Sequence, residues 1–154
     1  MKPKVMVTGA SGWLGRRLIS RLVSQKREII CVDYFKNQEF PEFSKNKYQL
    51  KIVNGDIRNP QNFAHEFNGC ETVFNCAGVQ HPVFTSDLYS VNRDAPASLL
   101  KLCIASNVKN FVHVSSAIVH GENTGKSAIT ENTPFRPFTH YGVSKAQGED
   151  MLVR

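Results

Sequence analysis

Short apolar runs alternate with amphipathic segments along this chain. Five runs of apolar or β-branched residues each lead into small or polar residues, in the order KVMVTG, EIICVD, YQLKIVNGD, ETVFNCAG and NFVHVSSA. Such runs predict buried strands of a parallel sheet. Between the first two runs, a segment with helical periodicity places on one face Leu14, Leu18, Leu22 and Val23. The alternation predicts an α/β, doubly wound fold with helices on both faces of a parallel sheet.

The length and composition are those of a globular domain of ordinary size. The chain has 154 residues, of which 41% are hydrophobic, so one domain over residues 1–154 is expected. No apolar run approaches the roughly 20 residues that cross a bilayer. The N-terminal residues contain too few apolar positions for the core of a secretory signal. We therefore expect no membrane partner and a cytoplasmic location.

The net charge of +6 is spread along the chain and forms no nucleic-acid-binding motif. Solvated surface accounts for most of this charge, and attraction of an anionic small molecule would account for any functional excess. The four cysteines show neither a Cys-x-x-Cys pair nor metal-finger spacing, so reduced, mostly buried thiols are expected. The sequence therefore predicts no nucleic-acid partner and no metal site.

The stretch TGASGWLG places Gly9, Gly12 and Gly15 where the first strand gives way to the first helix. A helix N-terminus exposes unpaired N–H groups, and glycines let the backbone approach phosphate oxygens. A diphosphate fits this position, although a tight strand-to-helix turn alone would also explain the glycines. Asp33 ends the second strand, where a carboxylate can accept hydrogen bonds from an adenosine ribose. An exposed aspartate without that role is the alternative.

Further landmarks follow the glycine loop in order. GDIR contains Asp56, NCAG ends the fourth run, VN contains Asn92, and NVKNFVHVSSAIVHG and TENTPFRPFTHYGVSK come last. Together with the Gly-x-x-Gly-x-x-Gly loop, this series resembles the extended short-chain dehydrogenase/reductase family, which includes the NAD-dependent epimerases and dehydratases of nucleotide sugars. The match covers essentially the whole chain. The resemblance implies a Rossmann fold with strand order 3-2-1-4-5 and NAD as the cofactor.

The resemblance also implies a cofactor-binding set. Asp56 lies against the adenine in that family, and the segment NCAG lines the cofactor. Taken singly, Asp56 and NCAG would also be explained by turn chemistry, and Asn92 by a helix residue satisfied by solvent. The residues expected to contact NAD are Gly9, Gly12, Trp13, Leu14, Gly15, Asp33, Asp56, Ile57, Cys76, Ala77, Gly78, Asn92, Tyr141 and Lys145.

Tyr141 and Lys145 are four residues apart on a predicted helix, so their side chains share one face. Because tyrosine has a pKa of about 10, a phenolate base at neutral pH needs positive charge nearby, here from Lys145 and a cationic nicotinamide. An ordinary amphipathic helix would show the same spacing. Ser116, at the end of a strand, would orient the substrate oxygen; Ser115 is the alternative, and the resemblance favours Ser116. The predicted catalytic residues are Ser116, Tyr141 and Lys145.

The reaction implied by the resemblance removes a hydroxyl proton while the neighbouring carbon gives hydride to NAD. Ala117 and Ile118 stand where 4,6-dehydratases carry an Asp-Glu pair, which favours an epimerase or oxidoreductase of a UDP-, GDP- or dTDP-linked sugar. Gln80 and His120 depart from the 4-epimerase pattern and leave the substrate open. The alternatives are a reductase or dehydrogenase of a non-sugar carbonyl compound or hydroxysteroid, and a non-catalytic NAD-binding module.

Members of that family are longer and carry a C-terminal substrate-binding region that is missing from these 154 residues. The chain is therefore expected to be the N-terminal, cofactor-binding part of a longer enzyme. In isolation it should bind NAD weakly and turn over no nucleotide sugar, because no walls position the substrate. An open sheet edge would also favour self-association, so a homodimer is expected.

Overall fold

The computed structural model describes residues 4–34, 50–122, 125 and 128–153. The strands in these residues are β1 (Lys4–Thr8), β2 (Glu28–Asp33), β3 (Leu50–Asn54), β4 (Cys70–Asn75) and β5 (Asn110–His113). The α-helices are α1 (Trp13–Ser24), α2 (Thr85–Tyr89), α3 (Ala95–Ala105) and α4 (His140–Val153). A π-helical turn, Ser90–Asp94, joins α2 to α3, and 3-10 segments cover Pro60–Phe67 and Ala117–His120.

The strands form one parallel sheet in the order β3-β2-β1-β4-β5, as predicted. The central strand is β1, in which Val5 pairs with Ile29 of β2 and with Thr72 of β4. After β3 the chain crosses to the other half of the sheet. The carboxyl ends of β1 and β4 therefore flank a crevice, which is where open α/β sheets bind their ligands.

Helices cover both faces of this sheet. On one face, Ile19 of α1 packs in a cluster with Val5. On the other face, Phe63 of the first 3-10 segment and Leu99 of α3 pack in a cluster with Met6. Val5 and Met6 serve opposite faces because successive side chains of a strand alternate in direction. The two clusters confirm the doubly wound arrangement.

The buried face of α1 differs from the one that the leucine spacing predicts. Ile19 and Leu22 are buried, and Leu18 packs partly against the same cluster, but Leu14 is 39% exposed. The first turn of α1 follows the carboxyl end of β1, where the sheet ends, and Trp13 in that turn is 75% exposed. Spacing alone could not indicate that the sheet stops short of this turn.

Small residues let α4 pack closely on the π-helical turn. A Cβ on Gly148 would overlap the carbonyl oxygen of Asn92. The Ser144 hydroxyl lies 3.1 Å from Asn92 Nδ2. A π-helical turn interrupts the regular hydrogen-bond ladder and is frequent at functional sites. Here it carries the Asn92 side chain into the interior, where it is fully buried.

Neither a membrane span nor a metal cluster occurs in the described residues. None of the helices there is long and apolar enough to cross a bilayer. In the same part of the chain, no three His, Cys, Asp or Glu side chains are grouped so that they could hold a metal ion.

Candidate functional site

Close packing of the backbone explains two of the three loop glycines. Gly9 has a φ of +65°, which L side chains rarely adopt, and a Cβ there would lie 2.6 Å from the backbone nitrogen of Ala77. A Cβ on Gly15 would overlap the carbonyl oxygen of Gly9. A side chain at either position would push the start of α1 away from the ends of β1 and β4. The tight-turn interpretation therefore applies to Gly9 and Gly15.

Gly12 is exposed and has a different environment. It is the N-cap of α1, where no side chain caps the helix and no acidic residue occupies the first turn. The N–H groups of an uncapped first turn present partial positive charge to an anion. Nearby, Arg16 donates from Nε to the Ser11 carbonyl oxygen at 2.8 Å. Gly12 thus leaves a backbone cradle that suits a diphosphate.

Asp33 connects the glycine loop to the end of β2. Its Oδ2 accepts hydrogen bonds from the N–H of Ser11 at 2.7 Å and from the Ser11 hydroxyl at 2.6 Å. Its Oδ1 accepts from the N–H of Tyr34 at 2.8 Å. A carboxylate has about four acceptor positions, so capacity for a ribose hydroxyl remains. Asp33 therefore has a structural role that the sequence did not indicate.

Arg58 joins the loop after β3 to α2. Its Nη2 lies 2.6 Å from Asp56 Oδ2, and its Nη1 lies 3.1 Å from Asp87 Oδ1. Hydrogen bonding from Arg58 lowers the pKa of Asp56 below its usual value. The Asp56 carboxylate consequently stays ionised at neutral pH and is held in one orientation.

A cavity of about 440 Å³ lies at the carboxyl ends of the strands. It extends from Gly12 of the loop, past Asp33 and Arg58, to Gly78 after β4. Its volume falls within the range of about 300–1,000 Å³ that is usual for small-molecule sites. The cavity therefore occupies the crevice that the strand order creates.

Asn92 links the wall of this cavity to α4. Its Nδ2 donates to the Val79 carbonyl oxygen at 2.8 Å and to Ser144 Oγ at 3.1 Å, and its Oδ1 accepts from the Val79 N–H at 3.0 Å. Ser144 in turn donates to the Tyr141 carbonyl oxygen at 2.8 Å. The alternative in which water hydrogen-bonds the Asn92 side chain is wrong, since its amide is buried and forms hydrogen bonds with the backbone of Val79.

Lys145 is buried where α4 meets the residues after β5. It is 3% exposed, and its Nζ donates to the Val114 carbonyl oxygen at 2.6 Å. Burial lowers the pKa of Lys145, while Glu149 and Cys76 act in the opposite direction. Tyr141 lies one turn earlier on α4 and is half-buried. The spacing of four therefore places one buried and one accessible polar side chain along the helix.

The two candidate serines differ in what they contact. The Ser115 hydroxyl donates to Glu149 Oε1. Ser116 is the N-cap of the 3-10 segment Ala117–His120, and its Oγ accepts a long hydrogen bond of 3.5 Å from the Ile118 N–H. The Ser116 proton is left available for donation, which favours Ser116 over Ser115. A Cβ on Gly142 would lie 3.2 Å from the Ile118 carbonyl oxygen, so the start of α4 adjoins this segment.

A buried chain of polar groups connects the ends of three strands. Thr8 Oγ1 donates to Asn75 Oδ1 at 2.6 Å, and Asn75 Nδ2 lies 3.0 Å from His113 Nδ1. Burial, assisted by the nearby positive charge of Lys145, lowers the pKa of His113 to about 4. The imidazole is neutral at pH 7, and its Nδ1 accepts from the amide. These hydrogen bonds hold the ends of β1, β4 and β5 in register beside the cavity.

Comparison with known sequences assigns the family. A sequence model of the NAD dependent epimerase/dehydratase family matches residues 5–154. The chain belongs to this family. It is 32% identical over 154 residues to the N-acetyl-alpha-D-glucosaminyl-diphospho-ditrans,octacis-undecaprenol 4-epimerase of Escherichia coli O157:H7, with 99% of this chain and 43% of the relative covered. It is 29% identical to a 2-alkyl-3-oxoalkanoate reductase of Shewanella oneidensis, with 96% and 38% covered.

A solved structure shows the same architecture. A short-chain dehydrogenase/reductase superfamily protein from Agrobacterium tumefaciens, crystallised with bound NAD, is similar with a TM-score of 0.80 and 25% identity. That similarity covers 97% of this chain and 44% of the other. The chain thus spans less than half the length of these three relatives. The resemblance drawn from the motifs is confirmed at the level of family and fold.

The cavity contains about half of the cofactor-binding set predicted for a member of this family. Predicted residues that line it are Gly9, Gly12, Asp33, Asp56, Ile57, Cys76, Ala77 and Gly78. Lining residues that the sequence reasoning missed are Ser11, Tyr34, Gly55, Arg58, Val79, Asp87 and Val91. Ser11 and Arg58 lie inside the motifs TGASGWLG and GDIR, so motif context could have indicated them. Asp87 lines the cavity because α2 packs beside it, and no sequence motif indicates that position.

The remaining predicted residues lie beside the cavity rather than in its wall. Trp13 and Leu14 are exposed on the first turn of α1, and Gly15 is buried beneath the loop. Asn92 supports the wall through Val79. Tyr141 and Lys145 are on α4, although Lys145 Nζ would lie 3.8 Å from a Cβ on Gly78. Whether these residues contact the cofactor stays a prediction.

Proposed function

We propose that this chain binds NAD in the cavity and forms the cofactor-binding part of an enzyme that oxidises a hydroxyl of a nucleotide sugar. The observation that carries the proposal is the exposed Gly12 at the uncapped N-terminus of α1, opening onto the same cavity as Asp33 and Asp56. Membership of the family and the NAD bound by the Agrobacterium relative support it.

Three groups of the chain suit the parts of the dinucleotide. Gly12 leaves space for the diphosphate against the first turn of α1, where partial positive charge stabilises an anion. Asp33 can accept a hydrogen bond from a ribose diol and would repel a 2′-phosphate, so NAD is preferred to NADP. Asp56, held in one orientation by Arg58, places a negative charge in the cavity wall on the side suited to the adenine.

Bound NAD would supply the acceptor for the hydride that leaves the substrate. In the proposed reaction Tyr141 removes the hydroxyl proton as general base, and the positive charge of Lys145 stabilises the phenolate. Ser116 donates a hydrogen bond that orients the substrate oxygen. The free proton of Ser116 and the burial of Lys145 beside the cavity support these roles.

We infer that the substrate is a sugar linked to a diphosphate. The Escherichia coli relative is named for a 4-epimerase of a sugar diphosphate carried by undecaprenol. UDP-, GDP- and dTDP-sugars present the same diphosphate-linked sugar. Ala117 and Ile118 provide no carboxylate beside Ser116 to assist elimination of water. Epimerisation or oxidation is therefore proposed in preference to dehydration.

Reduction of an apolar carbonyl compound is a second candidate. Val83 is 90% exposed and Phe84 67% exposed, on the loop between Val79 of the cavity wall and α2. Adjacent exposed apolar side chains beside a cavity suit an apolar substrate. The Shewanella relative is named for reduction of a 2-alkyl-3-oxoalkanoate. A substrate screen that pairs these carbonyl compounds with nucleotide sugars separates the two candidates.

Cofactor binding is tested by calorimetry and by the fluorescence of Trp13, the single tryptophan of the sequence. NAD should release heat and change the emission, and NADP should bind at least tenfold more weakly, since a charged hydrogen bond contributes roughly 1.5–3 kcal/mol. Asp33→Asn should narrow this difference, because it keeps an acceptor for Ser11 and removes the charge. Asp150→Asn, an exposed position on α4, is the control. Absence of both heat and emission change would overturn the proposal.

Catalysis is tested in the full-length protein, with the stereochemistry of the product followed by NMR. Tyr141→Phe should abolish turnover and leave NAD affinity nearly unchanged, because it removes only the proton acceptor. Lys145→Ala should weaken both. Asp150→Asn, at an exposed position on the same helix, is the control. Full turnover by Tyr141→Phe would contradict the assignment of the base.

A further inference from the structure

The buried ammonium of Lys145 needs a compensating charge. A lysine that is 3% exposed has lost most of its hydration, and an unpaired buried charge destabilises the fold or loses its proton. The Val114 carbonyl oxygen accepts one of its hydrogen bonds, at 2.6 Å. A single neutral acceptor does not replace the water that an ammonium loses. The charge on Lys145 therefore depends on its neighbours.

Glu149 is placed to supply that compensation. It follows Lys145 by one turn of α4, and side chains four residues apart share a helix face. Its carboxylate is held by the Ser115 hydroxyl, which donates to Oε1. Ser115 directly follows Val114, whose carbonyl oxygen accepts from Lys145. Two consecutive residues after β5 thus hold the lysine and the glutamate of α4.

The other titratable groups that face Lys145 carry no negative charge at neutral pH. Burial raises the pKa of Cys76, after β4, to about 11, so it remains a thiol. His113 of β5 has its pKa lowered to about 4 and is a neutral imidazole. Tyr141 lies one turn earlier on α4 and is the proposed base rather than a source of compensating charge. Among these groups, Glu149 provides the negative charge.

We propose that Glu149, fixed by Ser115, is a positioning residue that keeps Lys145 charged and directed at the cavity wall next to Gly78. Its consequence for catalysis rests on the function proposed above, in which this charge stabilises the Tyr141 phenolate. Ser115, which the sequence left as an alternative catalytic serine, then has a different role from Ser116: it binds Glu149 and not the substrate. One serine orients the lysine through Glu149, and its neighbour is free to orient the substrate.

The inference is tested without cofactor, by following the ε-carbon resonance of Lys145 against pH in the isotope-labelled chain, with Lys145→Arg identifying the signal. Glu149→Gln should lower the pKa of Lys145 below its value in the parent chain, because the variant loses the opposite charge on the same helix face. Ser115→Ala should lower it by less, and Ser115→Thr should restore it. Asp150→Asn, the next acidic residue on α4 and an exposed one, should leave it unchanged.

An unaltered pKa of Lys145 in Glu149→Gln, or an equal fall in Asp150→Asn, would overturn the inference. Circular dichroism checks that each variant is folded; if Glu149→Gln is not, Ser115→Ala and Ser115→Thr carry the same test. In the full-length protein, Glu149→Gln should move the acid limb of the kcat profile to higher pH. If Lys145 titrates as expected but the protein neither binds NAD nor turns over substrate, the proposed function is overturned and the positioning of Lys145 by Glu149 stands.

Discussion

The glycine loop and the face of α4 that carries Tyr141 and Lys145 adjoin the same crevice, but different interactions shape them. In the loop, close approach of backbone to backbone determines the structure: a Cβ on Gly15 would overlap Gly9, and a Cβ on Gly9 would overlap residues 76–77 after β4. On α4, the contacts join residues far apart in the chain. Lys145 and Val114 are separated by 31 positions, and Asn92 and Ser144 by 52.

Substitutions in these two regions should therefore reduce the stability of the fold by different amounts. A substitution in the loop meets fixed backbone, which cannot move without displacing α1 or the end of β4. A substitution on α4 can also meet backbone, as at Gly148, but α4 can move away from the π-helical turn as a unit at lower cost. We therefore expect the largest losses of stability in the loop and graded losses on the side of α4.

The largest effect is expected for Gly9→Ala. The new Cβ would enter the backbone of residues 76–77 in a strained conformation, so the free energy of unfolding should fall by roughly 3–5 kcal/mol, combining strain and overpacking. Gly69→Ala is a matched control, because Gly69 has a φ of +75° but nothing within 4 Å of a Cβ. The control should cost about 1–2 kcal/mol. Equal losses in urea unfolding would show that backbone overlap is not what constrains the loop.

The next effect is a pH dependence from His113. Its pKa is lowered from 6.5 to about 4 in the folded chain, so between these values the unfolded chain binds more protons. The contribution of His113 to the free energy of unfolding is fully present above pH 6.5. It is lost as the pH falls towards 4, by up to about 3 kcal/mol. His113→Asn keeps an acceptor for Asn75 and should flatten this part of the curve. His81→Asn, at an exposed position, should leave it unaltered; an unchanged slope in His113→Asn would contradict the assignment.

A smaller effect is expected for Gly148→Ala. The added methyl group would overlap the Asn92 carbonyl oxygen and press α4 away from the π-helical turn. Alanine gains about 1 kcal/mol in helix propensity over glycine, so the net loss should be roughly 1–2 kcal/mol. Gln147→Ala, at an exposed neighbouring position, should be nearly neutral. A gain in stability for Gly148→Ala would show that α4 moves freely.

The smallest effect is expected for Asp87→Asn. The Arg58 and Asp87 side chains are 39% and 34% exposed, and partly exposed ion pairs contribute about 0–1 kcal/mol. The loss in urea unfolding should therefore stay below about 1 kcal/mol and shrink in high salt. A larger, salt-independent loss would show that Arg58 is needed to hold α2 against the sheet.

Local patterns were enough to predict the fold class, a parallel sheet covered by helices. Each strand lies in a run rich in apolar residues, and parallel strands separated by helices must form a covered sheet. The prediction that all five strands are buried is wrong for β3 and β5, which lie at the edges of the sheet and are partly exposed. The resemblance supplied the strand order, and the structure confirms it. The glycine loop was predictable in part, since the positive φ of Gly9 and the close approach of Gly15 to Gly9 act within one short segment. The contact of Gly9 with residues 76–77 depends on the position of β4.

Other features required the tertiary structure. The exposure of Leu14, the pairing of Arg58 with Asp87 and the engagement of Ser115 by Glu149 each depend on where separate elements come to lie. Residue type and spacing show which groups can form hydrogen bonds or ion pairs. Which partner each group finds is decided by packing across the sheet, because buried polar groups must be satisfied by whatever lies beside them. The sequence thus determined the strands and the candidate chemistry, and only the folded chain decided that the Ser115 hydroxyl binds Glu149 while the Ser116 hydroxyl remains available as a donor.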